Sequence, residues 1–387
     1  MNDTPPGDRQ SPASPSPVSL STVSVSLSGP APRAAQWWRG DVLAQRLPYL
    51  AVRNDAAAAL RAWFAGQGFV EVETPALQLS PGLEPQLRAF ATRLFEPFEE
   101  SEEGETLYLH TSPEFAMKKL LAGGMERIFQ IARVWRNAER SALHHPEFTM
   151  LEWYRASTGW REAAADCEGL VRAALAAVSD RAAGAGRLVR DGAACDATGD
   201  WEYLSVAAAF ETYAGIDLMP TIADPGCPDR AALAGAAVQA GVRTAESDAW
   251  EDIFHRIMLE KIEPLLGADV PTVLHSWPAP LAALARIDPE DARLAERFEI
   301  YVCGVELANG FGELTDAVEQ RRRFEADSEK KRSLTGETYP IDEDFLSALA
   351  VMPEATGVAL GFDRLVMLLT GAARIEDVLW APVVPSR

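Results

Sequence analysis

Two stretches of this chain bring together the residue types that can handle a phosphorylated ligand. The first is WRNAERSALHHPEFTMLEWY, from Trp135 to Tyr154. Arg136 follows an apolar run (Ile128, Phe129, Ile131, Val134), and a second apolar run carries an isolated carboxylate, Glu152, with Tyr154. The polar loop between them holds His144, His145 and Phe148. A strand, a charged loop and a second strand can present a guanidinium and a ring to a nucleotide. Arginine grips a phosphate bidentately, and an aromatic ring stacks on a base. On spacing alone, an ordinary hairpin with a solvated tip fits equally well.

The second stretch is RFEIYVCGVELANGFGELTDAVEQRRRF, beginning at Arg297. Alternation points Phe298, Ile300 and Val302 to a core and leaves Glu299, Tyr301 and Cys303 on the other face. A turn at Gly304 returns the chain with Glu306. Carboxylates on neighbouring strands facing one cleft make a hard oxygen site for Mg²⁺, which takes one or two carboxylates plus phosphates. Plain alternation sets Glu306 opposite to Asn309, Phe311 and Glu313. A shared polar pocket therefore needs a bulge, which Gly310 or Gly312 would allow.

Two further signals flank these. Ser112 and Pro113 read as the N-cap and first residue of a helix ending at Gly123-Gly124. Glu114 is then either an acid favoured by the helix dipole or a carboxylate for a substrate ammonium. In GVALGFDRLVMLLTG a buried strand (Val358 to Gly361) leads to Asp363 as N-cap and an apolar helix. Arg364 falls in its first turn, where a cation opposes the macrodipole, which suits an anion held there with the helix N-terminus.

The elements needed to position these residues are legible in outline. Residues 1–36 are rich in Pro and Ser with few apolar anchors and are expected to be disordered. Folding starts near Trp37, and residues 37–387 are long enough for one large domain or two modest ones. A helix over 41–68 carries Leu50, Val52, Leu60, Trp63 and Phe64 at helical spacing. GFVEVETPAL reads as a strand ended by Pro75, and EPFEESEEGE as a solvated hairpin tip. A helix is expected over 160–182, a loop over 183–200, and Ala-rich helices over 205–265. Together these suggest a helical insertion at about 160–265. His275, at the end of a strand, is read as structural.

Composition narrows the class. The formal net charge of −21 lacks the basic footprint of a nucleic-acid binder. The four cysteines, Cys167, Cys195, Cys227 and Cys303, form no CxxC pair and suit a reducing compartment. No apolar run approaches membrane-spanning length, and no signal peptide is evident. The expectation is a soluble, cytoplasmic protein.

Together the stretches resemble the catalytic domain of class II aminoacyl-tRNA synthetases, and among them the lysyl enzymes, over about residues 40–387. Three motifs occur in order: the first ends at Pro75, the second runs from Arg136 to Glu152, and the third is GFDR at 361–364. TSPE, HPEFTMLEWY and ELANGFGEL resemble lysine-pocket strings. With no anticodon-binding barrel in view, the chain most resembles the stand-alone paralogues that attach (R)-β-lysine to elongation factor P. Ala359 stands where lysyl-tRNA synthetases generally have glycine. The chain departs from the family at Ala138, where a glutamate is usual, and at His145, where asparagine is usual.

The resemblance implies one catalytic domain over residues 37–387 with an α+β fold built on an antiparallel sheet flanked by helices, a homodimer, and ATP with Mg²⁺. It assigns Arg136 and Arg364 as catalytic. ATP falls to these two with His144, Phe148 and Glu299, and Mg²⁺ to Glu299 and Glu306. Ser112, Glu114, Glu152, Tyr154, Asn309, Phe311, Glu313 and Ala359 form the amino-acid pocket, with Glu313 and Tyr154 taking the ε-ammonium. The protein substrate is elongation factor P, and tRNA is not expected. The alternatives are a lysine–tRNA ligase without its anticodon module and a non-enzymatic binder on the same core.

Overall fold

The computed structural model describes residues 36–97 and 103–383. Nearly all of the expected tail, and the centre of the acidic loop, lie outside the described residues. Helix α1 (Gly40–Gly66) buries Leu47, Leu50, Arg53, Ala56, Leu60 and Phe64, a stripe at three- and four-residue spacing. After β1 (Val70–Glu71), a small sheet forms from β2 (Leu77–Gln78), β3 (Phe90–Leu94) and β4 (Glu105–Leu109). Helix α2 (Glu114–Ala122) leads into the long strands β5 (Arg127–Trp135) and β6 (Glu147–Ala156), then α3 (Trp160–Ala177).

Strands β7 (Leu188–Arg190) and β8 (Ala193–Cys195) form a hairpin, and β9 (Glu202–Ser205) precedes α4 (Val206–Ala209), α5 (Arg230–Gln239) and α6 (Trp250–Ile257). The chain continues through β10 (Thr272–Pro278), β11 (Leu294–Val302), β12 (Val305–Gly312), α7 (Ala317–Thr335) and α8 (Glu343–Leu349). It closes with β13 (Ala355–Gly361), α9 (Phe362–Thr370) and α10 (Ile375–Val378).

Among the described residues the main sheet has eight strands in the order β1-β5-β6-β13-β12-β11-β10-β9. Pairing is antiparallel from β5 to β10, while β1 and β9 join the two edges in parallel. The fold is α+β. One face is covered by α1, α3 and α9, where Phe64 stacks on Phe129 at 4.2 Å and meets Trp153 edge-on. A second apolar cluster lies between α2, α7 and α8, and a third around α4–α6. The other face of the central strands holds the cleft.

Several expectations are corrected here. The strand at GFVEVETPAL is paired only at Val70 and Glu71, and Val70 is exposed; an edge strand has one neighbour, so its alternation does not end in burial. Residues 183–200 contain the β7–β8 hairpin, with Cys195 buried, rather than a loop alone. Of the stretch 160–265, α3 belongs to the main core, and the separate helical cluster starts at Val206. Helix α2 starts at Glu114 after Pro113, although Ser112 Oγ still accepts the Glu114 N–H at 3.0 Å. Gly361, not Asp363, caps α9.

Candidate active site

Register places the polar residues of the central strands in rows. Directly paired residues on antiparallel strands share a face. Glu152 (β6) pairs with Ala359 (β13), Ala359 with Asn309 (β12), and Asn309 with Glu299 (β11). Two residues along, Tyr154, Gly357, Phe311 and Arg297 form a second row on the same face. The sequence stretches meet because four neighbouring antiparallel strands, of which only β11 and β12 form a hairpin, carry them side by side.

The bulge that lets Glu306 join them lies elsewhere than expected. Ile300 pairs with Ala308 but Tyr301 pairs with Glu306, so Leu307 is the extra residue. Gly310 and Gly312 continue the regular ladder. Glycines on these strands instead make room. A Cβ on Gly357 would lie 2.3 Å from both Glu313 Oε1 and Tyr154 Cε1.

Two arginines mark one end of the cleft. Arg136 leaves β5 where its N–H bonds Pro146 O, closing the loop to β6. Its guanidinium lies 5.3 Å from the Phe148 ring centroid, and its buried Nε has no hydrogen-bond partner. Arg364 donates to Glu306 O at 2.7 Å and bonds His144 Nε2 at 2.9 Å. Burial and Arg364 hold His144 below the ordinary histidine range, so its neutral Nε2 accepts that N–H while Nδ1 faces Ser141 Oγ. His145 is structural: its ring bonds Glu147 O and accepts the Val383 N–H. Ala138 takes a left-handed backbone at φ 63° on the exposed loop, with Glu139 beside it at the cleft.

Arg364 is aimed by a buried network that the sequence reading did not include. Arg53 of α1 pairs with Asp363, donates to Thr149 Oγ1 at 2.8 Å, and reaches Val378 O. The Thr149 N–H bonds the other Asp363 oxygen at 2.7 Å. Asp363 therefore fastens the start of α9 to α1 and β6.

Glu299 is buried and accepts from Arg297 Nη2 at 2.6 Å and Tyr301 OH at 2.7 Å. Burial pushes its carboxyl up to about 7, against Arg297 and with the help of Glu306. The Glu306 side chain is 43% exposed, 3.6 Å from Arg364. Among the described residues no group of three or more His, Cys, Asp or Glu forms a metal cage. Glu299 and Glu306 line the cleft together, and one or two carboxylates are the donors Mg²⁺ takes alongside water and phosphate.

The opposite end is dominated by buried acids. Glu152 accepts from Ser112 Oγ at 2.7 Å and Tyr154 OH at 2.6 Å. Lys118 of α2 is fully enclosed, with Nζ 2.5 Å from both Glu114 Oε1 and Glu313 Oε2. Burial opposes its charge, but Glu114 and Glu313 hold it above the ordinary lysine range. Three acids against one lysine leave surplus negative charge. Burial chiefly, with repulsion from Glu114, pushes Glu152 up to about 8 and Glu313 up to about 7.

Glu313 and Tyr154, both buried, have partners within the chain: Glu313 pairs with Lys118, and the Tyr154 hydroxyl donates to Glu152. Ser112, Glu114, Asn309, Phe311 and Ala359 line the cleft, and the buried Asn309 Oδ1 has no partner. Lys118 was detectable as an i,i+4 partner of Glu114. Arg297, which lies over Trp277 at 4.2 Å, was detectable as the residue two before Glu299.

An antiparallel sheet with arginines on its second and third motif elements defines the class II synthetase type of catalytic domain. Residues 39–384 match the family model for class II tRNA synthetases (D, K and N). The chain is also 39% identical over 328 residues to an elongation factor P–(R)-β-lysine ligase of Haemophilus influenzae, covering 84% of this chain and 92% of that protein. Proteins of the same name from Sodalis glossinidius and Proteus mirabilis are 41% and 40% identical. The former match covers 83% of this chain and 90% of the relative, the latter 84% and 91%. The chain belongs to the class II synthetase family and, within it, to the elongation factor P–(R)-β-lysine ligases; it is an enzyme, a ligase.

Proposed function

We propose that the chain activates (R)-β-lysine with ATP as an aminoacyl-adenylate and transfers it to a lysine of elongation factor P. The observation that carries this reading is the division of the cleft into two charged ends. Arg136 and Arg364 mark one, and acids in excess of Lys118 mark the other. Fully ionised, Glu114, Glu152 and Glu313 exceed Lys118 by two negative charges, which matches a substrate with two ammonium groups.

In the first step the amino-acid carboxylate attacks the α-phosphate of ATP and pyrophosphate leaves. Arg136 holds the α-phosphate and the carboxylate, Arg364 the γ-phosphate with His144 alongside, and Phe148 stacks on adenine. Glu299 and Glu306 would hold Mg²⁺, which would offset phosphate charge. Ser112 and Glu114 meet the backbone-side amine, while Asn309, Phe311 and Ala359 shape the pocket. Glu152, Tyr154 and Glu313 supply its field from behind. Ala359 lies between Asn309 and Glu152, where its methyl sets the depth available to the amine-bearing carbon.

Exposed Val70, Leu77 and Leu79 around Pro75 support a homodimer through the first motif. Among the described residues no helix is long and apolar enough to cross a membrane. We place the enzyme in the cytoplasm, and the net charge of −21 weighs against tRNA as acceptor. The charge match is tested by ATP–pyrophosphate exchange with (R)-β-lysine, lysine and norleucine. Exchange with the diamino acids but not with norleucine is expected; equal exchange with norleucine would refute the match.

A further inference from the structure

Glu84 lies on the loop between β2 and β3, which is anchored unusually well. Lys331 of α7, fully buried, directs its ammonium at three carbonyls of this loop: Glu84 O at 3.1 Å, Pro85 O at 3.4 Å, and Leu87 O. Thr111 holds Pro81 O through both its N–H and its hydroxyl. Leu83 is buried against α2 and α7. A loop so held presents its side chains from fixed positions.

The Glu84 side chain lines the cleft on the wall that carries Ser112, Glu114 and Arg136. Its Oε2 is buried and has no hydrogen-bond partner. Gly82 makes the space: its φ is +111°, and a Cβ there would lie 2.6 Å from Glu84 Oε2. Glu114, Glu152, Glu299 and Glu313 are each bonded to a protein cation or hydroxyl, and Glu84 is not. Glu84's own backbone N–H supports the carboxyl, but the buried Oε2 is left without a partner, and the retention of such an atom on the cleft wall points to a ligand. Burial first, then Glu114, raises its pKa; the hydrogen bond from its own backbone N–H and then Arg136 oppose this, and Asp327 adds to it; Lys331 faces it from α7.

Resting on the proposed function, we propose that Glu84 receives the side-chain ammonium of the acceptor lysine and takes its proton in the transfer step. One N–H proton passes to a Glu84 carboxylate oxygen, and the freed lone pair attacks the acyl carbon of the adenylate. The bond from that carbon to the phosphate oxygen breaks, and AMP leaves with the electron pair. A second N–H proton goes to the departing phosphate as the amide forms. A carboxyl raised above its usual range is a stronger base for this task.

The test compares wild type, Glu84→Gln and Glu84→Asp, each with ATP–Mg²⁺, (R)-β-lysine and elongation factor P. Single-turnover transfer and pyrophosphate exchange are followed from pH 6 to 9. For Glu84→Gln the ratio of transfer to exchange is expected to fall by about 10²-fold or more. Its residual transfer should rise log-linearly with pH, while wild type levels off and Glu84→Asp recovers part of the loss. An unaltered ratio overturns the role. A parallel fall in both half-reactions also overturns it and makes Glu84 an amino-acid-binding residue. If wild type exchanges pyrophosphate but never modifies elongation factor P, the proposed function itself fails.

Discussion

At the scale of residues, the site is a problem in charge balance. Glu114 and Glu313 share Lys118, so removing the lysine strands two buried carboxylates. Lys118→Met should destabilise the fold by about 3–5 kcal/mol, read from denaturant midpoints, unless both acids protonate. Its amino-acid KM should also become strongly pH dependent. Glu313→Gln removes one pocket charge and leaves Lys118 facing Glu114 alone. Exchange with (R)-β-lysine should fall by about 10²-fold, seen mainly in KM, and wild-type exchange in this variant would contradict the pocket. Arg136 and Arg364 stood out because each follows an apolar strand, Asn309 because it interrupts one, and Phe148 because it is a ring in a polar loop. Lys118 hid among the exposed-looking charges of a helix. Glu84 sits in a loop, where no periodicity marks a side chain as pointing inward.

At the scale of elements, α9 is held by its first turn rather than by a cap. Asp363 joins α9 to α1 through Arg53 and to β6 through the Thr149 N–H. Asp363→Ala should cost about 3–5 kcal/mol by leaving Arg53 buried and unpaired. The KM for ATP should rise as Arg364 loses its support, with folded-state circular dichroism retained at low temperature. The long strands and α1 were readable from their apolar spacing. The β7–β8 hairpin was not, because RLVRDGAAC is too short and too alanine-rich to alternate clearly. The bulge on β12 was foreseen at a glycine, but it falls at Leu307. Gly310 was already needed to clear the Phe298 ring, where a Cβ would lie 2.4 Å away.

At the scale of the molecule, acids gathered on one side of a sheet tie stability to pH. Glu152 and Glu313 sit at about 8 and about 7, above the 4.5 of a free glutamate. Protons bind the folded state more tightly, so the stability these groups contribute is full below pH 4.5 and is lost as pH rises through about 7 to 8. The melting temperature should fall between pH 5.5 and 8.5, by a smaller margin in Glu152→Gln, and (R)-β-lysine should restore more of it at the alkaline end. The α+β class was implied by the resemblance that the three ordered motifs carry, and the eight-stranded sheet with its helices bears it out. The boundary of the helical cluster was not legible, since α3 and the helices after it have similar compositions and only packing separates them.

The central claim is the choice of acceptor. One reaction mixture of the full chain, ATP–Mg²⁺, (R)-β-lysine, elongation factor P and bulk tRNA tests it, read by intact mass of the protein and by label on RNA. A gain of one lysyl mass on elongation factor P, with tRNA unlabelled, is the predicted result. Label on tRNA with elongation factor P unchanged would contradict it and make the chain a lysine–tRNA ligase.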